Sequence, residues 1–331
     1  MSRRLGRGAG HELRAAFGAA AATLAAGASL LACSMPEPPN RVALVYGVST
    51  YIEGGSSVNL SLTDDDARAM GAMLSAKGWS VTTRVADSSV ATTNEQASRD
   101  RIEADIAALA GFDGIVLFYY SGHGAYDVRE ESAICPYGSI VASGEGYFFD
   151  LGAMITASEL RAMFEAAGLG RVVIVLDSCN SGGFVAAGAT TDAIPDSYGV
   201  YDDDIAYTWF VGAFGDAVAA FSYDAEPGYV VLSAAGSDEF SWESGDHGIF
   251  TRYLLEAGGA NSKAADRDGD GYLSTTELYR YALLGIEAKW NRIYDETPTL
   301  RWQLYAADYW DDYLPHLSGT ASEYALWAVG D

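Results

Sequence analysis

Basic residues are scarce in this chain, lysine above all. Lys77, Lys263 and Lys289 are its three lysines, and 20 basic residues stand against 45 acidic ones, for a formal net charge of −25. Binding to nucleic acid draws on neutralised phosphates, so such a chain excludes nucleic acid and anionic lipid headgroups as partners and attracts basic polypeptides. The same acidity suits a salty habitat, and charge alone does not separate the two. Cysteine is as scarce: Cys33, Cys135 and Cys179 are too few for a disulfide framework. Past Leu31 no apolar run approaches the ~20 residues that span a bilayer. There is no internal repeat. What remains is 331 residues, 49% of them apolar, enough for one large domain or two modest ones.

Two stretches carry the chemistry. Arg171 to Gly183 sets five apolar residues, Val172 to Leu176, before the polar turn Asp177-Ser178-Cys179-Asn180-Ser181-Gly182-Gly183, the pattern of a strand buried on both faces. Ile115 to Gly124 has the same form, an apolar and aromatic run closed by Ser121-Gly122-His123-Gly124. If the two strands are parallel neighbours, His123 and Cys179 emerge at one sheet edge, where open α/β folds place their ligands. A free thiol is mostly protonated at neutral pH, and an adjacent imidazole that takes its proton makes it a nucleophile. Cys135 reads as a small buried residue, and His247 as an ordinary residue at a helix start.

The remaining elements follow from periodicity. Arg41 to Val48 predicts a buried strand, Asp64 to Lys77 a helix with acids at its N-terminus, Trp79 to Val85 a strand and Asn94 to Ala110 a helix. Thr156 with Glu159 three residues on predicts a capping box opening a helix to Ala167. Tyr229 to Ser233 predicts a strand; Ile249 to Ala257 and Thr275 to Trp290 predict helices. Alternating strands and helices with right-handed crossovers predict an α/β fold: a mostly parallel central sheet with helices on both faces, in one catalytic domain over residues 41–315. Residues 184–228 form a long Gly-, Ala- and Asp-rich segment without a period, and 316–331 read as a C-terminal tail.

The motifs Tyr119-Tyr-Ser-Gly-His-Gly124 and Asp177-Ser-Cys-Asn-Ser-Gly-Gly183 together resemble those of caspase-like cysteine peptidases, most closely metacaspases and bacterial caspase homologues. Their His and Cys lie 56 residues apart, against about 50 in caspases. Asn180 departs from the His that metacaspases often carry there. The resemblance, which runs from about Arg41 to about Trp302, implies a caspase-like fold and hydrolysis of peptide bonds by a Cys179–His123 dyad. It implies an oxyanion site at the backbone N–H groups of Gly124 and Cys179, and a substrate groove at Ser233 and the loop after it. It also makes 184–228 the linker that is cleaved or reordered on activation.

Charge argues for specificity. Asp177 lies two residues before the nucleophile, and Asp66 matches the second acidic residue of the metacaspase pocket; desolvated carboxylates favour a cationic side chain. No Lys or Arg occurs between Arg171 and Arg252 to receive an acidic one. The expectation is cleavage after Arg or Lys in basic polypeptides. Because 184–228 holds no basic residue, activity as a single chain follows. Each acid also has a structural reading, Asp177 capping a turn and Asp66 facing a helix N-terminus.

Asp266, Asp268, Asp270, Tyr272 and Glu277 match a twelve-residue calcium loop, with Gly271 at its turn and Tyr272 offering a backbone carbonyl. Such a segment can equally be a turn before a helix; no cofactor is required by the dyad, and Ca²⁺ is the one candidate. The aspartate pair of calcium-activated metacaspases would fall near Ala157 and Ser158. At the N-terminus, arginines precede the apolar run Ala15 to Leu31, and Leu30-Leu31-Ala32-Cys33 resembles a bacterial lipobox. This implies a signal over 1–32, lipidation of Cys33, a Pro-rich tether over 33–40, and an exported monomer anchored by its lipid alone. An ordinary signal peptide or an uncleaved anchor is the other reading. The alternative to a peptidase is a non-proteolytic caspase-like surface module that binds calcium or a protein partner.

Overall fold

The computed structural model describes residues 40–54, 56, 58–87, 91–126, 132–144, 146–179, 189–191, 228–234, 242–244, 246–291, 315–318 and 324–330. The segment with Cys33 and most of the 184–228 linker lie outside them.

Strand β1 (Arg41–Val48) is followed by helix α1 (Thr63–Ala76), β2 (Ser80–Ala86), α2 (Arg99–Ala107), β3 (Ile115–Tyr126), α3 (Ala157–Ala166) and β4 (Val172–Cys179). Then come β5 (Tyr229–Ser233), α4 (Ile249–Gly258), α5 (Thr275–Gly285) and β6 (His316–Ser318). The sheet order is β2-β1-β3-β4-β5-β6. Pairing is parallel from β2 to β5, and β6 runs antiparallel on β5. Crossovers from β1 lead to one side for β2 and to the other for β3, so the order reverses at β1/β3, where such sheets leave a crevice at their carboxyl ends.

Alternation along the strands divides the core in two. Ala43, Val45, Leu117, Tyr119, Val173 and Val175 pack with Ala67, Met70 and Leu74 of α1 and with Phe250 and Leu254 of α4. Leu44, Tyr46, Val116, Phe118, Ile174 and Leu176 pack on the opposite face with Ile102, Ile106, Leu160 and Phe164 of α2 and α3. Strands buried on both faces are continuous apolar runs for this reason. Among the described residues no helix is long and apolar enough to cross a membrane.

Thr156 and Glu159 form the expected capping box, and Arg99 reaches Glu159 at 2.9 Å, tying α2 to the start of α3. Two expectations need correction. The single helix over Asn94–Ala110 is broken at Ser98, whose φ of −81° and ψ of 163° are extended and which bridges to Tyr137. The stretch 316–331 contains more than a tail. His316–Ser318 is the edge strand β6, and Leu326 and Trp327 are buried in the core beside Trp79, whose indole donates to the Leu326 carbonyl at 3.0 Å. Apolar pattern in a four-residue strand is too short to announce itself.

Candidate active site

The pairing of β3 with β4 starts with Val116 opposite Val172 and runs without a slip to Ser121 opposite Asp177 and His123 opposite Cys179. Neighbouring strands lie about 4.8 Å apart, so the backbones that carry the imidazole and the thiol are as close as sheet geometry allows. Both residues lie within their strands: Cys179 ends β4, and β3 continues past His123 to Tyr126 because Gly124 to Tyr126 pair with Ser132–Ile134.

His123 is 1% exposed and held from several sides. Its Nε2 lies 2.8 Å from the Val58 carbonyl, which can only accept, so Nε2 carries the proton in the neutral ring and Nδ1 the lone pair. Its backbone N–H donates to the Tyr51 hydroxyl at 2.6 Å, and the Tyr51 ring lies 4.8 Å from the imidazole, centroid to centroid. The Tyr51 and Tyr120 hydroxyls meet at 3.2 Å, and Tyr120 donates to the carbonyls of His123 and Cys135 at 3.0 and 2.6 Å. A Cβ at Gly122 would come 2.5 Å from the Tyr120 oxygen and 2.7 Å from that of Tyr51. The glycine before the histidine is therefore what lets the two phenols close on the backbone. Cys135 is buried, and burial pushes its thiol well up, out of the range of thiolate chemistry, in keeping with a structural residue.

Asp66 and Asp177 come together at the same end of the sheet. Asp66 opens α1 and Asp177 is on β4; they are 1% and 0% exposed. Asp66 Oδ1 takes the His247 Nδ1 at 2.8 Å, its Oδ2 the Ser121 hydroxyl at 3.3 Å, and both oxygens face the Gly248 N–H. Asp177 Oδ2 accepts from the Thr251 N–H at 3.0 Å and the Thr251 hydroxyl at 2.5 Å, and that hydroxyl meets Tyr119 at 2.6 Å. Asp177 thus caps the first turn of α4 from another strand. A Cβ at Gly248 would lie 2.5 Å from Asp177 Oδ2 and 3.0 Å from Asp66 Oδ2, so the glycine backbone sits between the two carboxylates. Burial pushes Asp66 up to about 7, with the Asp177 charge adding to it against the hydrogen bonds from His247 and Gly248. The bond to Asp66 raises His247. Ser233, at the end of β5, is 1% exposed and lies between Leu176 and His316 in register.

The acidic loop divides. Carboxylate oxygens of Asp266, Asp268 and Asp270 come within 4.8 Å of one another, each also receiving a backbone N–H from within the loop. Glu277 is elsewhere engaged: Oε1 accepts from the N–H groups of Arg267 and Asp268, and Oε2 from the N–H and hydroxyl of Ser274 in a capping box. Burial works to raise its carboxyl, but those donors outweigh it and hold Glu277 below its ordinary value. Tyr272 pairs with Ala328. A cleft of about 280 Å³ lined by Tyr253, Ala265, Arg267, Tyr281 and Leu284 contains no candidate catalytic residue; register and hydrogen bonding locate the candidate site.

Sequence reasoning missed Tyr51, the Val58 carbonyl, Thr251 and the role of His247. The first two lie in a loop without period, and only the adjacent polar pair His247-Gly248 before an apolar helix hinted at the others.

The caspase-domain sequence profile matches residues 40–280. A crystal structure of a protein from Geobacter sulfurreducens is similar in fold at 20% identity and a TM-score of 0.51, covering 88% of this chain and 97% of that one. No curated protein matches the chain.

Proposed function

The chain belongs to the caspase-domain family of peptidases, and from that premise we propose that it is a cysteine endopeptidase cleaving after Arg or Lys. The observation that carries the reading is His123 directly opposite Cys179 on adjacent strands. His123 Nδ1 takes the thiol proton, and the sulfur attacks the scissile carbonyl. The N–H groups of Gly124 and Cys179 receive the oxyanion. Collapse of that intermediate breaks the C–N bond as the imidazolium returns the proton to the leaving amine. Water, deprotonated by His123, then hydrolyses the thioester and restores the thiol.

Asp66 and Asp177 are the acidic floor for the basic side chain, supported by their burial within one cluster. The enzyme acts as a monomer and a single chain, exported and tethered through lipid on Cys33. A fluorogenic Arg peptide tests the central claim: the wild type releases the fluorophore and Cys179→Ala does not. Equal rates in the two proteins would remove the peptidase reading and leave a binding module. For such a module, or as an addition to the enzyme, the convergence of Asp266, Asp268 and Asp270 supports a Ca²⁺ site. Their hard oxygens suit that ion, and Glu277 would have to leave its capping bonds to complete the twelve-residue set.

A further inference from the structure

His247 occupies an informative position. Of the groups bonded to Asp66, Ser121 and Gly248 are buried, whereas the His247 side chain is 26% exposed. A cation arriving from solvent therefore meets the imidazole before it meets the carboxylate. The ring nitrogen is already bonded where a guanidinium or ammonium would bond, 2.8 Å from Asp66 Oδ1.

Resting on the reading of the acidic pair as a pocket for a basic side chain, we propose that His247 is a resident occupant of that pocket, which the substrate's cation must displace, making His247 a specificity-determining residue that couples substrate binding to proton release. The surroundings define its charge state. Asp66 comes from α1, where Asp64, Asp65 and Arg68 lie nearby in sequence; Asp177 and Tyr119 come from β4 and β3; Asp246 and Arg252 flank the ring along the chain; Glu243 stands opposite Gly248 in register. With burial pushing Asp66 up to about 7 and the bond to Asp66 raising His247, the pair holds its protons into the neutral range. On the acid side the group reads as a carboxylic acid beside an imidazolium, which repels a cation; on the alkaline side it is a carboxylate beside a neutral ring, which attracts one. A guest that takes the Asp66 oxygen removes the partner that keeps His247 protonated, so binding expels a proton from the ring as well as from the acid.

The test is calorimetric titration of argininamide at pH 6.5 in buffers of different ionisation enthalpy, using the full chain with Cys179→Ala to prevent turnover. This protein should release up to about half a proton more per argininamide bound than the same chain carrying His247→Asn, which keeps a hydrogen-bond donor without the titrating ring, because a displaced imidazole near its ordinary value of about 6.5 keeps roughly half its proton at this pH. Equal proton release in the two, with binding retained, overturns the role of His247 and leaves the basic pocket standing. No binding by either removes the pocket reading and the inference together. Should His247→Asn fail to fold, His247→Gln takes its place. The His247 ring-proton resonance in the unsubstituted pocket supplies a second reading: its titration midpoint falls when argininamide is added, and an unmoved midpoint overturns the proposal.

Discussion

Substituting Tyr51 by Phe isolates what holds the His123 imidazole in place. The ring is kept and one oxygen is lost, the oxygen that accepts the His123 N–H at 2.6 Å and meets Tyr120 at 3.2 Å. His123 is 1% exposed, so water does not readily replace the lost acceptor, and a buried donor left without one costs about 1–3 kcal/mol. For a domain of this size each kcal/mol lowers Tm by roughly 2–4 °C, so a fall of several degrees is expected. Because Nε2 keeps its bond to Val58, the ring stays protonated on the same side but its backbone anchor loosens. The loss in kcat/KM on an Arg peptide should be about tenfold, the equivalent of ~1.4 kcal/mol of misplacement. Thermal unfolding and initial rates measure both. If the variant matches the wild type in Tm and in kcat/KM, the phenol pair is not what positions His123.

Asp66 supplies a pH dependence. Its carboxyl is raised from 3.8 to about 7, so the unfolded chain ionises first as pH rises and stability is lost between roughly pH 4 and pH 7, by about 4 kcal/mol. Asp66→Asn removes this contribution: the Tm of the wild type relative to the variant should decline as pH rises through that window, and a constant difference would contradict the raised value. Purified protein should show no self-cleavage between Phe184 and Pro227, a span without Lys or Arg; mass-spectrometric mapping of new termini there would reject basic specificity. Calorimetric titration with Ca²⁺ should give heat with the wild type and little with Asp270→Ala, and no heat with either would end the calcium reading.

Much of the fold was legible because its determinants are local. Val172–Leu176 and Ile115–Tyr120 are continuous apolar runs since both faces of the sheet are covered, and the Thr156–Glu159 capping box is a pattern four residues long that works the same in any context. Helix Thr63–Ala76 matched its periodicity for the same reason. Where the outcome depended on distant partners, the reading failed. Ser98 interrupts a helical pattern because its strand-like bridge to Tyr137 is 39 residues away along the chain. Leu326 and Trp327 enter the core where Leu273 pairs with Trp327 and where Trp79 and Arg41 meet the Leu326 carbonyl.

The site divides along the same line. Residue order and chemistry alone supplied a candidate nucleophile, a candidate base and two candidate carboxylates, since glycine-ended strands and reactive side chains are properties of short stretches. Whether His123 and Cys179 share a rung, which tautomer the ring adopts, and that a third residue, His247, already holds Asp66 depended on packing among loops and strands far apart in the chain. Hydrogen-bond partnership at 2.6–2.8 Å is a property of position in space, and burial then sets the charge of each partner. No periodicity encodes either one.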